Sequence, residues 1–288
     1  MADIKDNRSA GARFGLVITY TILGIFTVLA IYPLIWLLIN SFKTTQEFQL
    51  NKLGFPGAVE GYKWTTVNYT DAWTRGKFPI LILNSVIYTG VTTIVVIVFS
   101  FMGSFAFAKI KNRATPLVHG SFVIGLLLTL QSIMVPLYLM VNWVGLYNTR
   151  LGVLIPYIGI GMPMGIYLGT EYIKSIPDAL VESARIDGAT YMKIFRSIIA
   201  PMAAPVATTL AILTVTGTWN EFMLINILTS SDKIKSLPVG VQKFAGALAT
   251  DYGKQFAALV IGLIPMLAFY LVFRKEITKG VAAGAVKG

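Results

Sequence analysis

The sequence predicts an all-α integral membrane protein with six transmembrane helices and both termini on the cytoplasmic side. The first observation is composition: 55% of the 288 residues are hydrophobic and 13% are charged, and the mean hydropathy is +0.70. A soluble domain carries about 25% charged residues. The second is the placement of those charges, which leaves uninterrupted runs at 14–42, 78–108, 114–149, 151–170, 197–220 and 255–273. Each is long enough for a helix to cross a hydrocarbon core about 30 Å thick, which takes roughly 20 residues. The third is the side on which the basic residues between these runs collect.

In chain order, residues 1–13 read as a short polar cytoplasmic tail. The run at 14–42 is too long for a signal-peptide core and lacks a convincing cleavage site, so it is expected to stay as span one. The outer segment at about 43–77 is rich in Gly, Pro, Asn and aromatic residues, which suits short turns and an interfacial helix. Span two follows, and a tight basic loop of Lys109, Lys111 and Arg113 closes it. The run at 114–149 would reach about 54 Å as one helix, too long for one crossing and too short for two. Span three is therefore placed near 117–140, with Pro136 as its kink or end and Trp143 and Tyr147 in the aromatic belt.

Span four, "LGVLIPYIGIGMPMGIYLG", holds five glycines and two prolines. Small residues let helix backbones approach closely and Pro156 and Pro163 interrupt the hydrogen-bond ladder, so a bent helix buried among others is expected. Span five, at 197–220, leads to a second outer segment at about 227–254. Span six then precedes a cytoplasmic tail at 274–288, so that a six-span domain occupies 14–273. Lys5, Arg8, Arg13, the Lys109–Arg113 loop, Lys174, Arg185, Lys193, Arg196, Arg274, Lys275, Lys279 and Lys287 all fall on one side. That excess makes the side cytoplasmic. Lys43, Lys52, Lys63, Arg75 and Lys77 lie opposite and temper it.

The net charge of +11 is divided between loops on both faces without a nucleic-acid module, so no nucleic-acid partner is expected; the partner is a lipid bilayer. No cysteine and a single histidine, His119, leave no basis for disulfides, thiol catalysis or a protein-bound metal. No Ser-His set or paired carboxylates fall within the runs, so no enzyme activity is expected. A stand-alone secondary transporter needs ionisable groups inside the membrane. Glu221 is the one candidate, and it lies about 30 Å along from Pro201, near the outer surface. The energy source is expected in another chain, since no G-x-x-x-x-G-K-[ST] phosphate loop is present.

The stretch "ESARIDGATYMKIFRSIIAP", Glu182 to Pro201, breaks this pattern. Pro177 and Asp178 suit the start of a helix that runs through Leu180, Glu182 and Ala184. Ile173, Ile176, Leu180 and Ala184 form its apolar side. Asp187-Gly188 ends it, glycine taking the positive φ of a sharp reversal. A second helix is expected from Ala189 to Ile199. Ser183, Ala184, Gly188 and Ala189 leave this elbow, at about 171–200, nearly without bulk, and Glu182, Arg185, Asp187 and Arg196 surround it with both signs of charge.

Glu182, Ala184, Gly188, Ile198 and Pro201 resemble in spacing the E-A-A, G, I, L-P signature of permease subunits of binding-protein-dependent ABC importers. Ser183 and Ala200 depart from it with small, helix-compatible residues. "LNSVIYTG", "RIDGAT", "GTWNEF", "SLPVGVQKF" and "GVAAGAVKG" occur in the order of the carbohydrate-uptake branch, maltose G-subunit type, and the likeness covers about residues 12–288.

The resemblance implies a type I importer permease fold that pairs with a second, homologous permease. Two cytoplasmic ATPase subunits would seat the elbows, and an extracytoplasmic binding protein would deliver a sugar. Asn84, Gln131, Trp219 and Asn220, polar and aromatic groups near the runs, are then the candidates for holding that sugar, against the plainer readings of helix–helix hydrogen bonding and interfacial tryptophan. ATP and Mg would be bound by the ATPases and by no cofactor site here. Glu182, Ala184, Asp187 and Gly188, then Ser183, Arg185 and Ala189, would carry the coupling. The segment at Ser230 to Tyr252 would reach the binding protein and the "GAVKG" tail the ATPases. The implied location is a bacterial or archaeal cytoplasmic membrane. The alternatives are a stand-alone secondary transporter and a permease of the same type for a non-sugar solute.

Overall fold

The computed structural model describes residues 10–110, 112–244 and 250–285. The expectations resting on Lys5, Arg8, Lys111 and Lys287, on 245–249 of the second outer segment and on the end of the tail lie outside the described residues.

The elements are helical. In order they are α1 (Ala10–Asn40), α2 (Thr45–Leu50), α3 (Val67–Thr74), α4 (Phe78–Lys109), α5 (Thr115–Gly125), α6 (Leu130–Trp143) and α7 (Arg150–Lys174). There follow α8 (Asp178–Ile186), α9 (Tyr191–Ile194), a π-helical turn (Phe195–Ile199) and α10 (Ala200–Met202). The chain ends with α11 (Ala204–Asn220), α12 (Met223–Leu228), α13 (Leu237–Gln242) and α14 (Tyr252–Ala285). Among the described residues four helices, α1, α4, α7 and α14, are singly long and apolar enough to cross a membrane. Two further candidates are broken: α5 and α6 meet at 106°, and Tyr191–Met202 meets α11 at 75°.

The third run therefore differs from expectation. Pro136 lies inside α6 and does not end it. The bend falls at Leu126–Leu128, where backbone N–H groups of all three reach back three residues, to Val123, Ile124 and Gly125, before Thr129 takes extended backbone. Span five likewise is not one rod. It breaks at Ala203, and Pro205 occupies the first turn of α11, where its missing N–H costs no hydrogen bond.

The chain forms two compact units. The first combines residues 1–75 with 244–261. Here Asn68 donates from Nδ2 to the Ser41 and Lys43 carbonyls, turning the chain after α1. Phe48, Trp36 and Phe256 form an edge-on aromatic cluster, with centroids 4.9–5.8 Å apart. The Lys43 ammonium donates to the Asn51 carbonyl, and burial lowers its pKa against the opposing pull of Glu47. Lys254 bridges Asp71 and Asp251. The first outer segment is thus braced by polar ties and by the aromatic cluster around Phe48.

The second unit holds residues 76–243 and 262–288 and is built on the α4–α7 pair. Asn84 lies beside Arg150 near the start of both helices, and Lys109 beside Ile176 at the end of both, so the two run parallel. Their seam has a four-residue ladder: Gly161 faces Val96, Gly165 faces Ser100 and Gly169 faces Ser104. A Cβ at Gly165 would run into the Ser100 side chain, so glycine is what permits this approach. Ser104 uses the closeness to donate to the Ile166 carbonyl at 3.0 Å. Since α4 and α7 are parallel, the bent α5–α6 pair must carry the chain back between them.

Candidate functional site

The elbow stands where α4 and α7 end. Ile173 and Ile176 from the end of α7, Val181 from α8 and Ile194 and Ile199 beyond the turn are all buried against Phe101 and Phe105 of α4. Val181, and not the expected Leu180, is the anchor of α8; Leu180 is 40% exposed. The break at Ser175–Pro177 resets the helical phase, so spacing counted through from Ile173 does not hold across it. Ala184 and Ala189 complete the apolar base. Lys109 fastens this base from below, its Nζ donating at 2.5 Å to the Ile176 carbonyl and to Asp178 Oδ1. Asp178 opens α8, where a carboxylate also complements the positive helix end.

The turn itself is fully hydrogen-bonded. Gly188 has φ +77°, its N–H donates to the Arg185 carbonyl, and the N–H of Ala189 donates to the Ala184 carbonyl at 2.9 Å. This is the Schellman arrangement, in which a left-handed residue closes a helix and satisfies its last carbonyls. Thr190 then caps α9 by accepting from the Lys193 N–H. Arg185 lays its guanidinium 4.3 Å from the centre of the Tyr191 ring, joining the two arms across the turn. The expected second helix from Ala189 to Ile199 is instead α9 followed by the π turn.

The structure brings the sequence-predicted elbow residues together on one surface. Glu182, Ser183, Arg185, Asp187 and Gly188 are exposed, and Ala184 and Ala189 are half-buried at their base. Nothing lies within 4 Å of the position a Gly188 Cβ would take. Ile186, which composition did not single out, is 87% exposed at the tip of α8.

The opposite end of α4 and α7 is built differently. Asn84 is completely buried, donates both amide hydrogens to the Lys233 and Lys235 carbonyls and accepts from Arg150 at 2.9 Å. Tyr88 donates to the Ile234 carbonyl at 2.6 Å, and Ser85 Oγ accepts the Leu237 N–H. Asn148 accepts from the N–H groups of Ser230 and Ser231. These bonds strap residues 230–237 across the helix starts. At the strap's outer edge Asp232 pairs with Lys243 at 2.8 Å and Lys77 at 3.9 Å, and the hydrogen bond from Lys243 leads the causes that hold its carboxyl below the usual range.

The other saccharide candidates do not converge with Asn84. Gln131 is exposed at the start of α6, Trp219 is 8% exposed within α11, and Asn220 donates back to the Thr216 carbonyl of its own helix. In its place the structure offers a cavity of about 340 Å³ between α6, α7 and α11, lined by residues including Tyr157, Gly161, Thr214, Gly217, Thr218 and Glu221. Glu221 is no free acid: Tyr157 donates to it at 2.5 Å and the Leu224 and Ile225 N–H groups cap onto it, fixing the corner into α12. The lone acid between two apolar runs was visible in the sequence; its tyrosine, 64 residues earlier, was not.

The family description "Binding-protein-dependent transport system inner membrane component" matches residues 100–274. The multiple sugar-binding transport system permease protein MsmG of Streptococcus mutans is 32% identical over 93% of this chain and 96% of its own. The trehalose/maltose transport system permease protein MalG of Thermococcus litoralis is 31% identical over 92% and 94%. A chain from the crystal structure of a bacterial ABC transporter involved in the import of the acidic polysaccharide alginate shares the fold, with TM-score 0.78 and 24% identity over 93% of this chain and 98% of that one. The chain belongs to the inner membrane component family of binding-protein-dependent transport systems.

Proposed function

We propose that this chain is the transmembrane permease subunit of an ATP-driven importer for a sugar or oligosaccharide. Its elbow, Glu182 to Ala189, couples the solute pathway to separate ATPase subunits. The observation that carries this reading is the elbow: an exposed, closed turn of small residues whose two arms are rooted in one core with α4 and α7. A tilt imposed on such a body moves the helices it roots in, and of these α7 lines the 340 Å³ cavity. The relatives named for sugar transport support the substrate class.

In this reading each bent pair is one crossing, giving six spans with both termini and the elbow in the cytoplasm of a bacterial or archaeal cell. A second, homologous permease forms the other half of the pathway. Two cytoplasmic ATPases hold ATP and Mg, and a solute-binding protein docks outside. The chain itself catalyses no reaction. ATP-bound and ATP-free ATPase states favour different permease arrangements, and the elbow transmits that difference as a population shift.

The decisive experiment is uptake of radiolabelled saccharides, screened over a panel, by cells lacking this chain and by cells given it back, with co-purification of the ATPase and the second permease. Uptake without partners would overturn the reading. Because the chain contains no cysteine, Ser183→Cys places a unique thiol on the elbow. Labelling of that thiol from outside intact cells would overturn the orientation.

A further inference from the structure

Where α4 turns into α5, beside the elbow, lies a shallow hollow that is open to its surroundings. Phe107, Ala108, Ile110 and Pro116 make its apolar wall, and Asn112, Arg113 and Thr115 its polar rim. Among the described residues Arg113 makes no hydrogen bond, ion pair or ring contact, and its side chain is exposed. The hollow therefore combines a guanidinium without a partner among the described residues with an apolar wall at the end of a long apolar helix. A soluble metabolite has no use for that wall, and a neutral lipid none for that charge. An anionic phospholipid uses both, since arginine pairs phosphate in a two-pronged geometry and basic residues at membrane ends attract acidic lipids.

We propose that this hollow binds one anionic phospholipid, its phosphate on Arg113 and an acyl chain along Phe107, Ile110 and Pro116. The same wall faces the elbow on its other side: Ala108 and Ile110 pack against the cluster of Phe105, Ile173, Val181 and Ile194, and Lys109 between them holds Asp178. A lipid seated here stiffens the base on which the elbow pivots, so ATP-driven uptake depends on it. That consequence rests on the permease reading; the binding site does not.

The test uses the full chain with its co-purified partners, washed in detergent and returned to bilayer discs of phosphatidylcholine with or without phosphatidylglycerol. Retained phosphatidylglycerol is counted by mass spectrometry. One bound molecule per chain is expected, with about fivefold weaker retention in Arg113→Gln, the worth of one basic residue at a membrane surface, and recovery in Arg113→Lys. Arg113 is exposed and has no partner among the described residues, so these variants fold; Lys233→Gln, at the far end, is expected to leave retention unchanged. Equal retention in wild type and Arg113→Gln overturns the site, as does displacement by free glycerol phosphate at the same concentration, which would mean a plain phosphate site. Retention that follows Arg113 while uptake ignores lipid composition overturns the link to coupling and leaves the site standing.

Discussion

At the elbow end of α4 and α7, the backbone around Gly188 stands open, Glu182 and Asp187 face outward, and Ile186 has almost no cover. At the far end Asn84 is sealed from solvent with its amide hydrogens and oxygen all engaged, and the 230–237 strap is bonded down by four residues of the unit, Asn84, Ser85, Tyr88 and Asn148. One end has its hydrogen bonds closed within the turn and its side chains left over; the other consumes its side chains in holding itself together. The difference teaches where to look for a partner. A surface whose polar groups are already matched gains little from another molecule, whereas one that keeps charges and an apolar tip unmatched is completed by it.

The strongest way to break this comparison is Gly188→Arg. The chain itself loses only about 1–2 kcal/mol, the cost of a left-handed backbone for a residue with a Cβ, since no atom crowds that side. Co-purification of the ATPase and sugar uptake should fall by roughly thirtyfold or more, as for an interface centre worth above about 2 kcal/mol. Normal uptake would mean the open backbone meets nothing. At the far end the expected pattern inverts. Asn84→Leu strands two carbonyls and the Arg150 contact, so unfolding in detergent should be easier by about 2 kcal/mol, while ATPase association per folded molecule stays as it was.

The elbow was legible because its signals are local: proline and aspartate at a helix start, an Asp-Gly break, small residues between. Its anchor was misjudged because Ser175–Pro177 restarts the helical phase, which leaves Leu180 exposed and buries Val181. The run at 114–149 was rightly too long for one straight helix. Its bend hides in a leucine run, Leu126–Leu128, with no breaking residue inside it, while the obvious Pro136 sits within a helix. At the far end Asn84 stood out as a residue, but its pairings could not be read. Asn84 meets Arg150 across 66 residues and the Lys233 carbonyl across 149, and one sequence carries no record of such pairings.

Between these extremes, Tyr157→Phe removes the hydroxyl that ties α7 to Glu221 and leaves the two backbone caps of α12 intact. A cost of about 1 kcal/mol is expected, read as a lower unfolding midpoint. If the 340 Å³ cavity belongs to the pathway, the apparent KM for sugar moves in the same variant, which a purely structural tie would not cause.

The smallest effect sharpens the comparison most finely, because it asks whether the strap's rim is matched as its centre is. Asp232 is 41% exposed and paired with Lys243 and Lys77, and its carboxyl is held below the usual range, the Lys243 hydrogen bond being the leading cause. A lowered folded-state pKa means the carboxylate contributes stability above its unfolded pKa of about 3.9. That contribution fades as pH drops through the lower, folded value. Asp232→Asn should therefore unfold more easily than wild type by less than about 1 kcal/mol at pH 7 and low salt. The gap should shrink in high salt, which screens exposed pairs, and close as the solution is acidified into the carboxylate range. A gap that persisted in acid would show that Asp232 acts through its shape and hydrogen bonding, and the rim would then be tied down in the same manner as Asn84.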